Sequence, residues 1–124
     1  MKNILLVGFG GGVGSIARFL FQKYLYAWYP HTFPTGTFLV NIVGCFLIGL
    51  FYGLAEKGNL LTPEWRLLLT TGFCGGYTTF STFAMENVIL FKNGEYLYFG
   101  LYIAGSVILG IAATFCGMLV LKLI

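Results

Sequence analysis

The groups in this sequence that bear on chemistry are Asn41, the hydroxyls of Thr78, Thr79, Ser81, Thr82 and Ser106, and the rings of Phe80 and Phe83. All lie in apolar runs, and none carries a charge. An amide NH2, a hydroxyl and the electropositive edge of a phenyl ring can each face an anion. Such a set suits a small, weakly basic anion that passes without tight binding, because a fixed Lys or Arg would trap it. Phe80 and Phe83 stand three residues apart, so on a helix they share a face. Gly72, Gly75 and Gly76 weaken a helix just before them. Carbonyls freed by a break there would do the opposite job and hold a cation, as unwound backbone does in transporters. Tyr102, Ser106, Gly110 and Thr114 fall four apart on one mildly polar helical face. That face lines an ion path, or its hydroxyls bond the carbonyl one turn back and do nothing more. Asn41 likewise either bonds across helices or points its NH2 at an anion.

The elements that must position these groups are membrane helices. The 124 residues are 58% hydrophobic and only 9% charged, against about 25% charged in a soluble domain. Four apolar runs, Ile4–Tyr26, Phe38–Ala55, Leu67–Phe91 and Tyr96–Leu121, meet or approach the roughly 20 residues that a spanning helix needs. Short joints separate them: Tyr29-Pro30-His31 with Pro34-Thr35-Gly36, then Glu56 to Pro63, then Lys92 to Glu95. Tyr24, Tyr26, Trp28, Tyr29, Trp65, Tyr96 and Tyr98 gather at the joints as an interfacial aromatic belt does. The expectation is an all-α membrane protein, with residues 1–124 forming a single four-helix transmembrane domain whose third helix is broken. Hydrocarbon tolerates such a break only where it is buried in protein or lines a watery path.

Composition removes several classes of function. The net charge of +3 is small and its basic residues are scattered, which leaves no footprint for nucleic acid. There is no Asp and a single His31, so acid–base dyads and metal catalysis lack parts, and no enzyme is expected. Cys45, Cys74 and Cys116 read as small buried hydrophobes. Lys2 and the apolar run up to Ser15 and Ala17 have the outline of a signal peptide. The run is unusually rich in glycine and apolar sequence resumes at Phe19, so a retained first helix is expected. Its glycines do not satisfy G-x-G-x-x-G in any register, and no Walker A sequence is present. They do satisfy small-xxx-small, as Gly8 with Gly12 and Gly10 with Gly14, which lets another backbone approach closely. Gly49 and Gly53 on the second helix read as packing glycines, with Gly44 a further candidate. Arg18 lies inside the first apolar stretch and either snorkels or pairs within the bundle.

Four spans put Lys2, Lys57, Arg66 and Lys122 on one side and Arg18, Lys23 and Lys92 on the other, a Lys/Arg count of 4 against 3. The positive-inside rule then gives almost no orientation preference. Insertion both ways is one reading and a single orientation, with a buried Arg miscounted, is the other. Insertion both ways would make an antiparallel homodimer possible.

Taken together, GTFLVNIVG (36–44), the glycine-rich first helix ending GSIARF (14–19) and GFCGGYTTFSTFAME (72–86) resemble the Fluc, or CrcB, family of fluoride ion channels. The resemblance covers the whole chain in length and helix count, and its third motif is highly specific. Position 110 is Gly where a hydroxyl residue would extend the face on the fourth helix. The resemblance implies an antiparallel, dual-topology homodimer in a bacterial inner membrane, with two fluoride pathways lined by both chains. It implies that Phe80 and Phe83 present ring edges to fluoride and that Asn41 is a polar pore residue near the mouth. Ser81, Thr82, Tyr102, Ser106 and Thr114 would form a hydroxyl track. The broken third helix would hold one central structural Na+ through the backbone carbonyls of Gly75 and Thr78 from each chain. Fluoride would leave passively, down its electrochemical gradient.

Two other classes remain open on sequence. A small dual-topology multidrug or cation exporter shares the size but wants a carboxylate in the first helix, and Ile4 to Ala17 has none. A non-transporting membrane subunit would use every glycine and hydroxyl for packing, and a helix broken in lipid without a use argues against it.

Overall fold

The computed structural model describes residues 1–28, 32–58 and 60–124. Tyr29, Pro30 and His31 of the first joint and Asn59 of the second lie outside the described residues, as does the side chain of Trp28. The expectation of an all-α chain holds, with no strand among the described residues. Helix α1 (Lys2–Trp28) is followed by α2 (Thr35–Glu56), a short α3 (Pro63–Leu67), a π-helical segment (Leu68–Cys74), α4 (Gly75–Tyr77), α5 (Phe80–Lys92) and α6 (Tyr96–Lys122). Three helices, Lys2–Ala27, Thr35–Glu56 and Tyr96–Lys122, are long and apolar enough to cross a membrane. They match the expected first, second and fourth runs to within a few residues. No single helix covers residues 67–91; that stretch is divided among α3, the π-helical segment, α4 and α5.

Local chemistry sets these boundaries. Thr62 caps α3, its hydroxyl accepting the Trp65 N–H at 3.2 Å, and Pro63 occupies the first helical turn where its missing N–H costs nothing. At its C-terminal end, α5 stops in a Schellman motif. Gly94 adopts φ 75°, its N–H reaches Phe91 O at 3.1 Å, and the Glu95 N–H reaches Leu90 O at 2.9 Å. Between α4 and α5, Thr78 (φ −83°, ψ 159°) and Thr79 (φ −149°, ψ 122°) are extended.

Glycines carry the close packing. Along α1, a Cβ on Gly14 would stand 2.9 Å from the Tyr77 N and one on Gly10 would stand 3.0 Å from the Gly72 Cα. That register seats α1 on the π-helical segment and α4, backbone against backbone. Gly8 and Gly12, the other small-xxx-small pair, face open space. Between α2 and α6, Gly49 lies on the Thr114 backbone, Gly53 on Met118 and Leu121, and Gly117 on Leu50 N, where a Cβ would come within 2.7 Å. Gly44 abuts the methyl of Thr78.

Two contacts fix which helix ends lie together. Lys2 Nζ stands 3.5 Å from Glu64 Oε1, and Lys57 Nζ donates to Leu121 O at 2.8 Å. The start of α1 therefore adjoins the start of α3, and the end of α2 adjoins the end of α6. At the opposite end Phe91 meets Tyr96 and Phe99, with ring centroids 5.4 and 5.5 Å apart.

Candidate functional site

The site is organised by the extended pair Thr78–Thr79. A helix continuing through it would send the Thr79 N–H to Gly75 O and the Thr82 N–H to Thr78 O. Neither happens. The Thr79 N–H donates to Asn41 Oδ1 at 2.8 Å, and Asn41 Nδ2 donates back to Thr79 O at 3.0 Å. The Thr82 N–H donates to Thr79 Oγ1 at 3.3 Å, which makes Thr79 the N-cap of α5. Thr79 Oγ1 donates in turn to Thr82 Oγ1 at 3.1 Å and lies 3.4 Å from Ser81 Oγ. Two helical donors are thus diverted, and the carbonyls of Gly75 and Thr78 lose their intrahelical partners. Thr78's own side chain is used locally, its Oγ1 donating to Cys74 O at 2.9 Å.

The capped start of α5 presents the phenylalanines. Phe80 and Phe83 lie on one face, centroids 5.6 Å apart and tilted at 43°. Phe83 meets Tyr102 edge to face at 4.9 Å and 64°. Tyr102 is fully buried, held in a ring cluster with Phe33 and Phe38. Phe80 is different: it is 78% exposed.

Below the phenylalanines the structure assembles a polar group that sequence reasoning did not. Glu86 sits midway along α5. Its Oε1 accepts the Tyr102 hydroxyl at 2.8 Å and its Oε2 accepts the Thr37 hydroxyl at 3.0 Å. Gln22 Nε2 donates to Thr37 Oγ1 at 3.0 Å, so a chain of donors runs from α1 through α2 to the carboxylate. A carboxylate inside an apolar run is itself a functional signal. Thr37 could have been found as well, since it lies one helical turn before Asn41 on the same face of α2.

Two cavities flank this chain of groups. One, of about 380 Å³, is lined by Gln22, Thr37, Thr82 and Glu86 with the loop before α2. The other, of about 520 Å³, is lined by Asn41, Cys45, Gly75, Thr78, Thr79 and Phe80 among others. The expected site residues therefore divide. Asn41, Gly75, Thr78 and Phe80 share one cavity, Thr82 lines the other, and Phe83 and Tyr102 join the two sets through their rings. Ser81 is exposed. The Ser106 hydroxyl is buried and has no hydrogen-bond partner among the described residues. Thr114 donates to Gly110 O at 3.0 Å, the bond one turn back that the sequence allowed as an alternative to a lining role. Its backbone packs on Gly49.

Comparison with known proteins follows the same outline. The profile of the family described as "CrcB-like protein, Camphor Resistance (CrcB)" matches residues 5–118. A protein of Chlorobaculum tepidum is 54% identical over 124 residues, covering 99% of this chain and 97% of its own. One of Flavobacterium psychrophilum is 46% identical over 122 residues and one of Gloeothece citriformis 48% over 122, each covering 98% of both chains. All three carry the name "Fluoride-specific ion channel FluC".

Proposed function

The chain belongs to the CrcB family, and on that premise we propose that it is a multi-pass membrane channel that conducts fluoride passively and selectively out of the bacterial cytoplasm. The observation that carries the reading is the capped start of α5, which brings Phe80 and Phe83 together with the buried Tyr102 beside two cavities that Asn41, Thr37, Thr79 and Thr82 help to line. Fluoride is small and strongly hydrated, so a path must replace several water hydrogen bonds at once while leaving each interaction shallow enough for release. Ring edges, hydroxyls and amide groups meet that need without a fixed cation.

In this reading α3, the π-helical segment, α4 and α5 together make the third membrane crossing, interrupted at Thr78–Thr79. The chain pairs with an antiparallel second copy, inserted the other way, as the even Lys/Arg count allows. Exposure of Phe80 supports this, because an aromatic ring meant to line a path needs a second wall. Two pathways per dimer follow, each bounded by Asn41, Phe80 and Phe83, with Ser81, Thr82, Tyr102, Ser106 and Thr114 as the hydroxyl track.

A structural Na+ between the two copies fits the residues present. The carbonyls of Gly75 and Thr78 have lost their helical donors, and neutral oxygens freed by unwinding are the donor set that such a hard cation takes. When bound, such an ion would supply positive charge opposite the carbonyl oxygens of Gly75 and Thr78. The chain's own part is to keep those carbonyls undonated and the backbone extended.

The test is efflux from liposomes reconstituted with purified protein, loaded with KF or KCl, with valinomycin relieving the potential. Rapid fluoride release with chloride retained is the expected result. Release of neither ion from folded dimer would overturn the channel reading.

A further inference from the structure

Asn41 is bonded to the backbone of a single residue. Its amide oxygen takes the Thr79 N–H at 2.8 Å and its NH2 is given to the Thr79 carbonyl at 3.0 Å. Each bond has a separate consequence. The first removes the one N–H that would otherwise close a helical turn on the Gly75 carbonyl. The second pins the residue that caps α5, and with it the register of Phe80 and Phe83 one and four residues later. Gly44, one turn along α2, lies against the Thr78 methyl, so the side chain reaches Thr79 from a helix that is already in contact with the break.

We infer that Asn41 is a positioning residue that couples the cation site to the anion path: its acceptor keeps the Gly75 carbonyl free for a cation while its donor holds the phenylalanines in place. This rests on the channel reading above. It assigns the two ends of one amide to two different ions, and it predicts that they can be separated. Aspartate keeps an acceptor for the Thr79 N–H and loses the donor. Alanine loses both, and the Thr79 N–H is free to return to Gly75 O.

The experiment uses purified dimeric protein in detergent and in liposomes. The midpoint of the rise in melting temperature is read as NaCl replaces N-methylglucamine chloride, since a cation that binds only the folded state stabilises it by mass action. Fluoride efflux is read in parallel. For Asn41→Asp the Na+ midpoint stays within about threefold of wild type or moves to lower concentration, while efflux falls at least tenfold. For Asn41→Ala the Na+ response shifts at least tenfold to higher concentration and efflux is lost with it. A wild-type Na+ midpoint in the alanine variant, or loss of the Na+ response in the aspartate variant, would overturn the inference. The aspartate arm decides alone if the alanine variant yields no dimer. No Na+ response in wild-type protein would also overturn it, with fluoride efflux intact, whereas absence of wild-type efflux would remove the channel reading instead.

Discussion

Replacing Phe83 by isoleucine separates what the ring does for packing from what it does for an ion. Among the described residues the ring makes two aromatic contacts, at 4.9 Å with Tyr102 and 5.6 Å with Phe80. Each such pair contributes about 0.5–1.5 kcal/mol beyond the area it buries. Losing both costs about 1–3 kcal/mol of stability, which lowers the melting temperature without abolishing the fold. The conduction term is separate. A ring edge offers two polarised C–H groups, each worth about 0.5–1 kcal/mol as a weak donor. An aliphatic side chain offers none, so the barrier rises by about 1–2 kcal/mol, roughly 5- to 30-fold in rate. Phe80→Ile should give a flux loss of the same order with a smaller fall in melting temperature, because Phe80 is 78% exposed. The assay is initial fluoride efflux from liposomes at matched protein density, with melting temperature measured on the same preparations. Fluoride efflux from Phe83→Ile within twofold of wild type would refute the ring-edge reasoning.

Other perturbations test the supporting structure. Thr37→Val leaves Glu86 with one of its two donors and Gln22 without an acceptor, a cost of about 1–3 kcal/mol visible as a lowered melting temperature. Gly14→Ala forces a Cβ against the Phe73 and Tyr77 backbone and should cost about 1–3 kcal/mol by overpacking, read as reduced yield of folded protein. Gly12→Ala, whose Cβ meets nothing, should be neutral or gain up to about 1 kcal/mol in the same assay. Pro30→Lys with His31→Lys changes the Lys/Arg count from 4 against 3 to 4 against 5. Accessibility labelling should then find a biased orientation and efflux should fall, and mixed orientation with full activity would refute the charge argument.

The sequence by itself determined the class of structure, because apolar length and low charge leave a chain of this kind few places but a bilayer. It located three spanning helices to within a few residues, since hydropathy and proline or glycine boundaries are local properties. It also set Phe80 and Phe83 on one face, because helical period alone does that. It could not choose between the two glycine registers of α1, and the tertiary structure decided for Gly10 and Gly14 because only that face meets the π-helical segment. Nor could it see what Glu86 does. The residue's partners lie 49 and 16 positions away on other helices, and only their packing brings Thr37 and Tyr102 within hydrogen-bond reach. Asn41 is the clearest case. Its position in an apolar run marked it as polar and buried, but an amide can serve a neighbouring helix or an ion equally well. Only the 38-residue separation closed by α2 packing against the Thr78–Thr79 turn gives both of its ends to one backbone residue.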